Sequence, residues 1–295
     1  MKMKYLSSYH PIPLFIYFIS VIVISMFATN PIILSLSLVG AVLFTLTIES
    51  KKTFLKGLIF YIPFFILIAL TNPLFSHNGV TPLFYMNDNA VTLEAILYGI
   101  DMAAMLVAVI YWCKCYSEIY DSEKFIYLFG KAIPKLSLVI SISLKFIPMF
   151  KRQYKKIRQV QTTLGYYESE SYVEKIKSAM NTFSALVTWS LEMSVEQAMS
   201  MKAKGYGLKK RTHFNNFKFT KKDIIFFGIV LTLDVFIFSG LISESIHFVF
   251  YPEITKLKLD IISLITYIAF GILALMPATI EIKENLKWKY YISKM

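Results

Sequence analysis

Six stretches of this chain, each 15 to 21 residues long, contain no basic residue and at most two acidic ones. They run from Ile12 to Ala28, Ile32 to Ile48, Gly57 to Thr71, Thr92 to Trp112, Asp223 to Gly240 and Ile261 to Ile280. An apolar helix of ~20 residues, rising ~1.5 Å per residue, crosses the ~30 Å hydrocarbon layer of a bilayer. Composition agrees. The chain is 56% hydrophobic and 17% charged, with mean hydropathy +0.56, whereas soluble domains sit near ~45–50% and ~25%. The expectation is an all-α, polytopic membrane protein of about six transmembrane helices.

Charge is distributed unevenly along the chain. Of the net +12, the segment from Lys145 to Lys222 holds +11, from 16 Lys/Arg and 5 Asp/Glu. A basic excess beside apolar spans marks the cytoplasmic face and its anionic lipid surface, and argues against nucleic acid as a partner. The segment 72–91 has no Lys or Arg and is expected outside. The short connection from Glu49 to Lys56 and the stretch from Lys114 to Lys135 are basic and expected inside. Both termini then face the cytoplasm. The N-terminal run lacks a small-residue cleavage site and reads as a retained span.

Within the insert the apolar period changes to that of an amphipathic helix. Phe146, Phe150, Tyr154, Ile157, Gln161 and Leu164 recur every three or four residues, with Lys151, Arg152, Lys155, Lys156 and Arg158 on other faces. Gly165 follows as a helix stop. A second series, Val173, Ile176, Met180, Phe183, Val187 and Leu191, continues to Lys204 and stops at Gly205. From Ser171 to Lys204 this helix is about 50 Å long. The run from Leu136 to Phe150 contains Lys145 and Pro148 and is too short to span, so it stays on the cytoplasmic side. Two long helices stopped by glycine form a crossed or antiparallel pair. Three regions result: a four-span bundle at 1–113, a cytoplasmic or interfacial coupling region at 114–222, and a two-span hairpin with tail at 223–295.

Catalytic signatures are missing. The sequence has no GxxxxGK[ST] phosphate loop, HExxH or GxSxG. His10, His77, His213 and His247 are dispersed, and Cys113 and Cys115 have no neighbouring ligands, so no metal site is read. Asp101 and Asp234 lie within spans, where a carboxylate is costly and marks function by default; the preferred reading is structural for both, with Asp101 hydrogen-bonded to a neighbouring helix or neutral, and Asp234 held by a structural partner. A self-contained channel or secondary transporter predicts inverted repeats. None is evident, and the basic insert has no role in that model. A polytopic membrane enzyme is the other alternative.

Several motifs carry a resemblance: NPLFSHNGVTPLFY from Asn72, TLEAILYG from Thr92, DSEKFIYLFG from Asp121, LKFIP from Leu144 and AMSMKAKGYG from Ala198. Together and in this order, they make the chain resemble the transmembrane T component of energy-coupling factor (ECF) transporters, vitamin and trace-metal importers related to ABC transporters. The resemblance implies a non-enzymatic scaffold in the cell membrane with no cofactor of its own. It would join two cytoplasmic ATPase subunits, which bind ATP and Mg, to a membrane-embedded substrate-binding S component. It also implies that two coupling helices end in an arginine between small residues that enters a groove on each ATPase. The matching positions are Thr163, Leu164 and Gly165, and Ala203, Lys204 and Gly205. Leucine and lysine replace the two arginines, and Arg158 is a nearby substitute for the first. Phe183, Val187 and Leu191 are then the candidate S-component contact.

Overall fold

The computed structural model describes residues 5–76, 78–86, 89–166, 171–208, 217–243, 245–258 and 260–294. His77, His213 and the basic run Lys209, Lys210 and Arg211 lie outside them. The chain forms two compact units, Met1–Phe125 with Phe217–Met295, and Ile126–Asn216.

The first unit holds a short 3-10 turn, Tyr5–Ser8, and six long helices: α1 (Pro11–Phe27), α2 (Pro31–Ile48), α3 (Lys51–Phe75), α4 (Leu93–Ile119), α8 (Lys221–Ile242) and α9 (Ile261–Lys294). Five are long and apolar enough to cross a membrane, and α1 is a shorter apolar helix of 17 residues. The chain is therefore an all-α, multi-pass membrane protein. Between α1 and α2, Asn30 caps the second helix by accepting from the Ile32 amide at 3.0 Å, with Pro31 at its first position. Thr29-Asn30-Pro31 thus makes a tight turn between the two helices.

Lipid is as apolar as leucine, so helices in a bilayer associate through small residues and buried polar pairs. Both are found around α2. Gly40 lies against α9 so closely that an added Cβ would come within 2.8 Å of the Ala274 Cβ. On the facing side, the Trp112 indole N–H donates to Ser37 at 3.1 Å, and Ser37 pairs with Ser25 at 2.6 Å, which ties α1, α2 and α4 together. Tyr17, Phe18, Phe44 and Trp112 pack edge-on or tilted at this junction. Outward-facing side chains such as Ile59 and Val235 are exposed, as a lipid-facing surface requires.

The structure corrects several sequence-based limits. Glu49 to Lys56 is not simply a connection. Ser50 caps α3, accepting from the Thr53 amide at 3.3 Å, and the helix begins at Lys51 and runs through Pro63. Lys114 belongs to α4, where it forms an ion pair with Glu49 at 2.9 Å. The tail expected beyond Ile280 continues α9 to Lys294. The segment read only as an outer loop contains a hairpin of β1 (Pro82–Met86) and β2 (Asn89–Thr92), antiparallel, with Tyr85 opposite Ala90. Glu94, buried, holds its base by accepting from the Thr81 hydroxyl at 2.8 Å.

Asp234 is buried on α8 near Ser20 of α1, but the Ser20 hydroxyl donates within its own helix to the Tyr17 carbonyl at 3.0 Å, and Asp234 Oδ1 is buried without a hydrogen-bond partner among the described residues. No hydrogen bond from a neighbouring helix to Asp101 is found among the described residues, which leaves the other branch of its structural reading. Lys124, in α5 (Ser122–Ala132), is buried and donates to the Ile119 carbonyl at the end of α4 at 3.2 Å. Burial lowers its pKa, while the Asp121 charge opposes that shift.

Candidate functional site

The second unit is built on α6 (Pro134–Thr163) and α7 (Tyr172–Ala203). The apolar run from Leu136 and the amphipathic series to Leu164 form one continuous helix through Pro148. The two helices run antiparallel. Tyr166 meets Ser178, whose hydroxyl donates to the Tyr166 carbonyl; Thr182 donates to the Gln161 side chain; and Phe150 packs edge-on against Trp189 at 5.5 Å. Ser178 and Thr182 are the buried residues of α7, small enough to let α6 approach.

This arrangement places the two helix ends far apart. The end of α6 lies beside Ser178, whereas Lys204 is 26 residues further along α7 (204 − 178). At ~1.5 Å per residue the separation along α7 is on the order of 40 Å.

Both ends are closed by the same backbone device. At the first, Leu164 is the C-cap and Gly165 has φ +80°; the Gly165 amide donates to the Thr162 carbonyl at 3.0 Å and the Tyr166 amide to Gln161 at 3.1 Å. At the second, Lys204 is the C-cap and Gly205 has φ +82°; Gly205 donates to Lys202 at 2.9 Å and Tyr206 to Met201 at 3.0 Å. This paired 5→2 and 6→1 pattern is a Schellman cap, and its left-handed residue is nearly always glycine because a Cβ would crowd the following carbonyl.

The expected site residues therefore fall into three places. Thr163, Leu164 and Gly165 form one exposed tip, and Ala203, Lys204 and Gly205 form the other; Leu164 is 67% exposed. Arg158 is exposed, but its guanidinium leans back one turn to the Tyr154 hydroxyl at 3.5 Å, away from Leu164. Phe183, Val187 and Leu191 lie along α7 and are 64%, 40% and 64% exposed. They continue into exposed Val195 and Met199, which extends the apolar stripe towards the second tip. Tyr166 and Tyr206 were missed. Each follows its capping glycine, each is about half exposed, and the repeated Gly-Tyr pair was the signal that could have found them. Among the described residues, no three His, Cys, Asp or Glu side chains cluster as a metal site would require.

Comparison with known proteins bears on the family. The model of the CbiQ family, cobalt transport protein, matches residues 10–214. The chain belongs to the CbiQ family. The matched region includes both tips and stops before α8. Curated relatives carry the name energy-coupling factor transporter transmembrane protein EcfT. The Listeria innocua protein is 29% identical over 198 residues, covering 61% of this chain and 74% of that one. The Staphylococcus aureus protein is 23% identical over 187 residues, covering 59% and 70%. The Brevibacillus brevis protein is 32% identical over 108 residues, and there the match spans only 39% of the relative's length. The resemblance of this CbiQ-family chain to ECF T components, read from its motifs, is thus borne out.

Proposed function

We propose that this chain is the transmembrane coupling subunit of an ECF-type importer for a vitamin or trace metal in the cell membrane. Its partners are two cytoplasmic ATP-binding cassette ATPases, which bind ATP and Mg, and a membrane-embedded S component that carries the substrate. The observation that supports this most is the pair of identically capped tips, each exposed and on the order of 40 Å apart along α7. A scaffold that reads the motion of two ATPases needs two such contacts, held by one stiff element.

The first tip, Thr163 to Gly165, docks on one ATPase and the second, Ala203 to Gly205, on the other. ATP binding and hydrolysis displace the tips, and the antiparallel pair α6–α7 carries that displacement. The exposed stripe with Phe183, Val187 and Leu191 meets the S component, which tilts to release substrate inward. An apolar stripe suits this contact because dispersion is non-directional and permits sliding. The basic insert and both termini face the cytoplasm, in accord with the charge asymmetry of the loops. Hydrolysis itself belongs to the ATPases, because this chain carries no phosphate-binding loop.

Co-purification tests the reading. Lys204→Glu in the full chain, expressed with its ATPases and S component, is expected to lose the ATPase contact at the second tip and uptake together. A retained complex with full uptake would remove the second tip from the interface.

A further inference from the structure

We infer that the two tips take chemically different grooves, an apolar one for Leu164 and a carboxylate-lined one for Lys204, so that their partner surfaces are not interchangeable. This rests on the reading of the tips as ATPase contacts and adds the chemistry of each contact.

The backbone cannot distinguish the tips. The cap residue has φ −82° and ψ 5° at Leu164, and φ −79° and ψ 9° at Lys204. Glycine follows at +80° and +82°, and a tyrosine comes next in both. Residues 164 and 204 therefore leave equivalent helix ends in equivalent directions, and only the side chains differ. Between positions 159 and 166 there is no charged residue, whereas between 199 and 206 there are Lys202 and Lys204, both exposed. The sequence beyond each tip extends the contrast, with Glu168 and Glu170 after the first and Lys209, Lys210 and Arg211 after the second.

A groove that suits one tip disfavours the other. Lys204 in an apolar groove would be a buried, unpaired ammonium. Leu164 against carboxylates would strip them of water and give them no donor in return. The helix dipole accounts for a cation in the last turn of α7 without any partner. It gives no account of a leucine at the same position of α6, two-thirds exposed, and cannot by itself produce partner selectivity. Tyr166 and Tyr206, common to both tips, fit a feature the two grooves share.

The experiment places a photoreactive amino acid at 164 or 204 of the full chain, co-expressed and purified with its ATP-binding cassette ATPases, and maps the cross-linked peptides. Position 204 is expected to reach an acidic segment and position 164 an apolar segment of a different ATPase chain. Lys204→Glu should weaken only the contact at 204, by roughly 30-fold or more, the scale of loss for one partner of a desolvated charge pair. Raising salt should weaken the contact at 204 and leave that at 164 intact. The exchange variant, Leu164→Lys with Lys204→Leu, should lose both. Cross-links from both positions to the same segment of identical chains, or an exchange variant that assembles normally, would overturn the inference while leaving the tips as ATPase contacts. Absence of any ATPase cross-link from either position would instead overturn the reading on which it rests.

Discussion

Replacing Gly205 with alanine tests whether the second tip is built as described. At φ +82° an L-residue pays roughly 1–2 kcal/mol for crowding between its Cβ and the following carbonyl. The new methyl would also lie 3.0 Å from the Leu208 Cδ1, the movable end of a flexible side chain, which adds little. That strain falls on two bonds, from Gly205 to Lys202 at 2.9 Å and from Tyr206 to Met201 at 3.0 Å. A loss of ~1–2 kcal/mol of local stability corresponds to about 5- to 30-fold faster amide exchange at residues 205 and 206, at ~1.4 kcal/mol per tenfold. Hydrogen exchange by mass spectrometry on the purified full chain reads this directly. Gly207→Ala is the control, because Gly207 also has positive φ but nothing lies within 4 Å of its added Cβ and its amide closes neither cap bond. Exchange at 205 and 206 unchanged in Gly205→Ala would refute the cap, and with it the equivalence of the two tips.

Other expectations concern the bundle and the α7 face. Gly40→Ala forces a methyl to within 2.8 Å of the Ala274 Cβ, and this overpacking should destabilise the α2–α9 contact by about 1–3 kcal/mol in denaturant unfolding in micelles; an unchanged midpoint would contradict the close approach. Ser37→Ala removes the acceptor of the Trp112 indole and the partner of Ser25. At ~0.6 kcal/mol per membrane hydrogen bond it should cost about 1 kcal/mol, and Ser25→Ala about half that, in the same assay. Phe183→Asp combined with Leu191→Asp should abolish uptake while ATPase capture persists, since neither residue is at a tip; normal uptake would exclude that face from S-component contact.

The parts of this architecture that the sequence announced are those where a single residue type has a single physical use. Gly165 and Gly205 ended amphipathic runs and proved to be left-handed caps, because few other residues tolerate positive φ. Asn30-Pro31 is equally specific, a side-chain cap followed by a residue that suits only the first helical position. Helix limits were less legible because hydropathy reports apolarity rather than helicity. The charged turns at Lys51 and Lys114, and the tail to Lys294, are polar yet helical. Pro148 and the change from apolar to basic made α6 look like two segments, although a proline removes one hydrogen bond without ending a helix held by its other turns. The choice between a crossed and an antiparallel pair was not readable either, since Ser178 and Thr182 show no apolar signal. The departure at Leu164 was visible from the start. What it acquired from the structure is a twin at Lys204 with the same backbone and different chemistry.

Coupling is tested most directly by reconstituting the chain with its S component in proteoliposomes, with and without the two ATPases, and measuring substrate uptake on adding ATP and Mg. Uptake that requires the ATPases, and that disappears when Leu164→Asp and Lys204→Glu are combined in an otherwise folded chain, is the expected result. Substrate flux without the ATPases, or undiminished uptake with both tips altered, would contradict it.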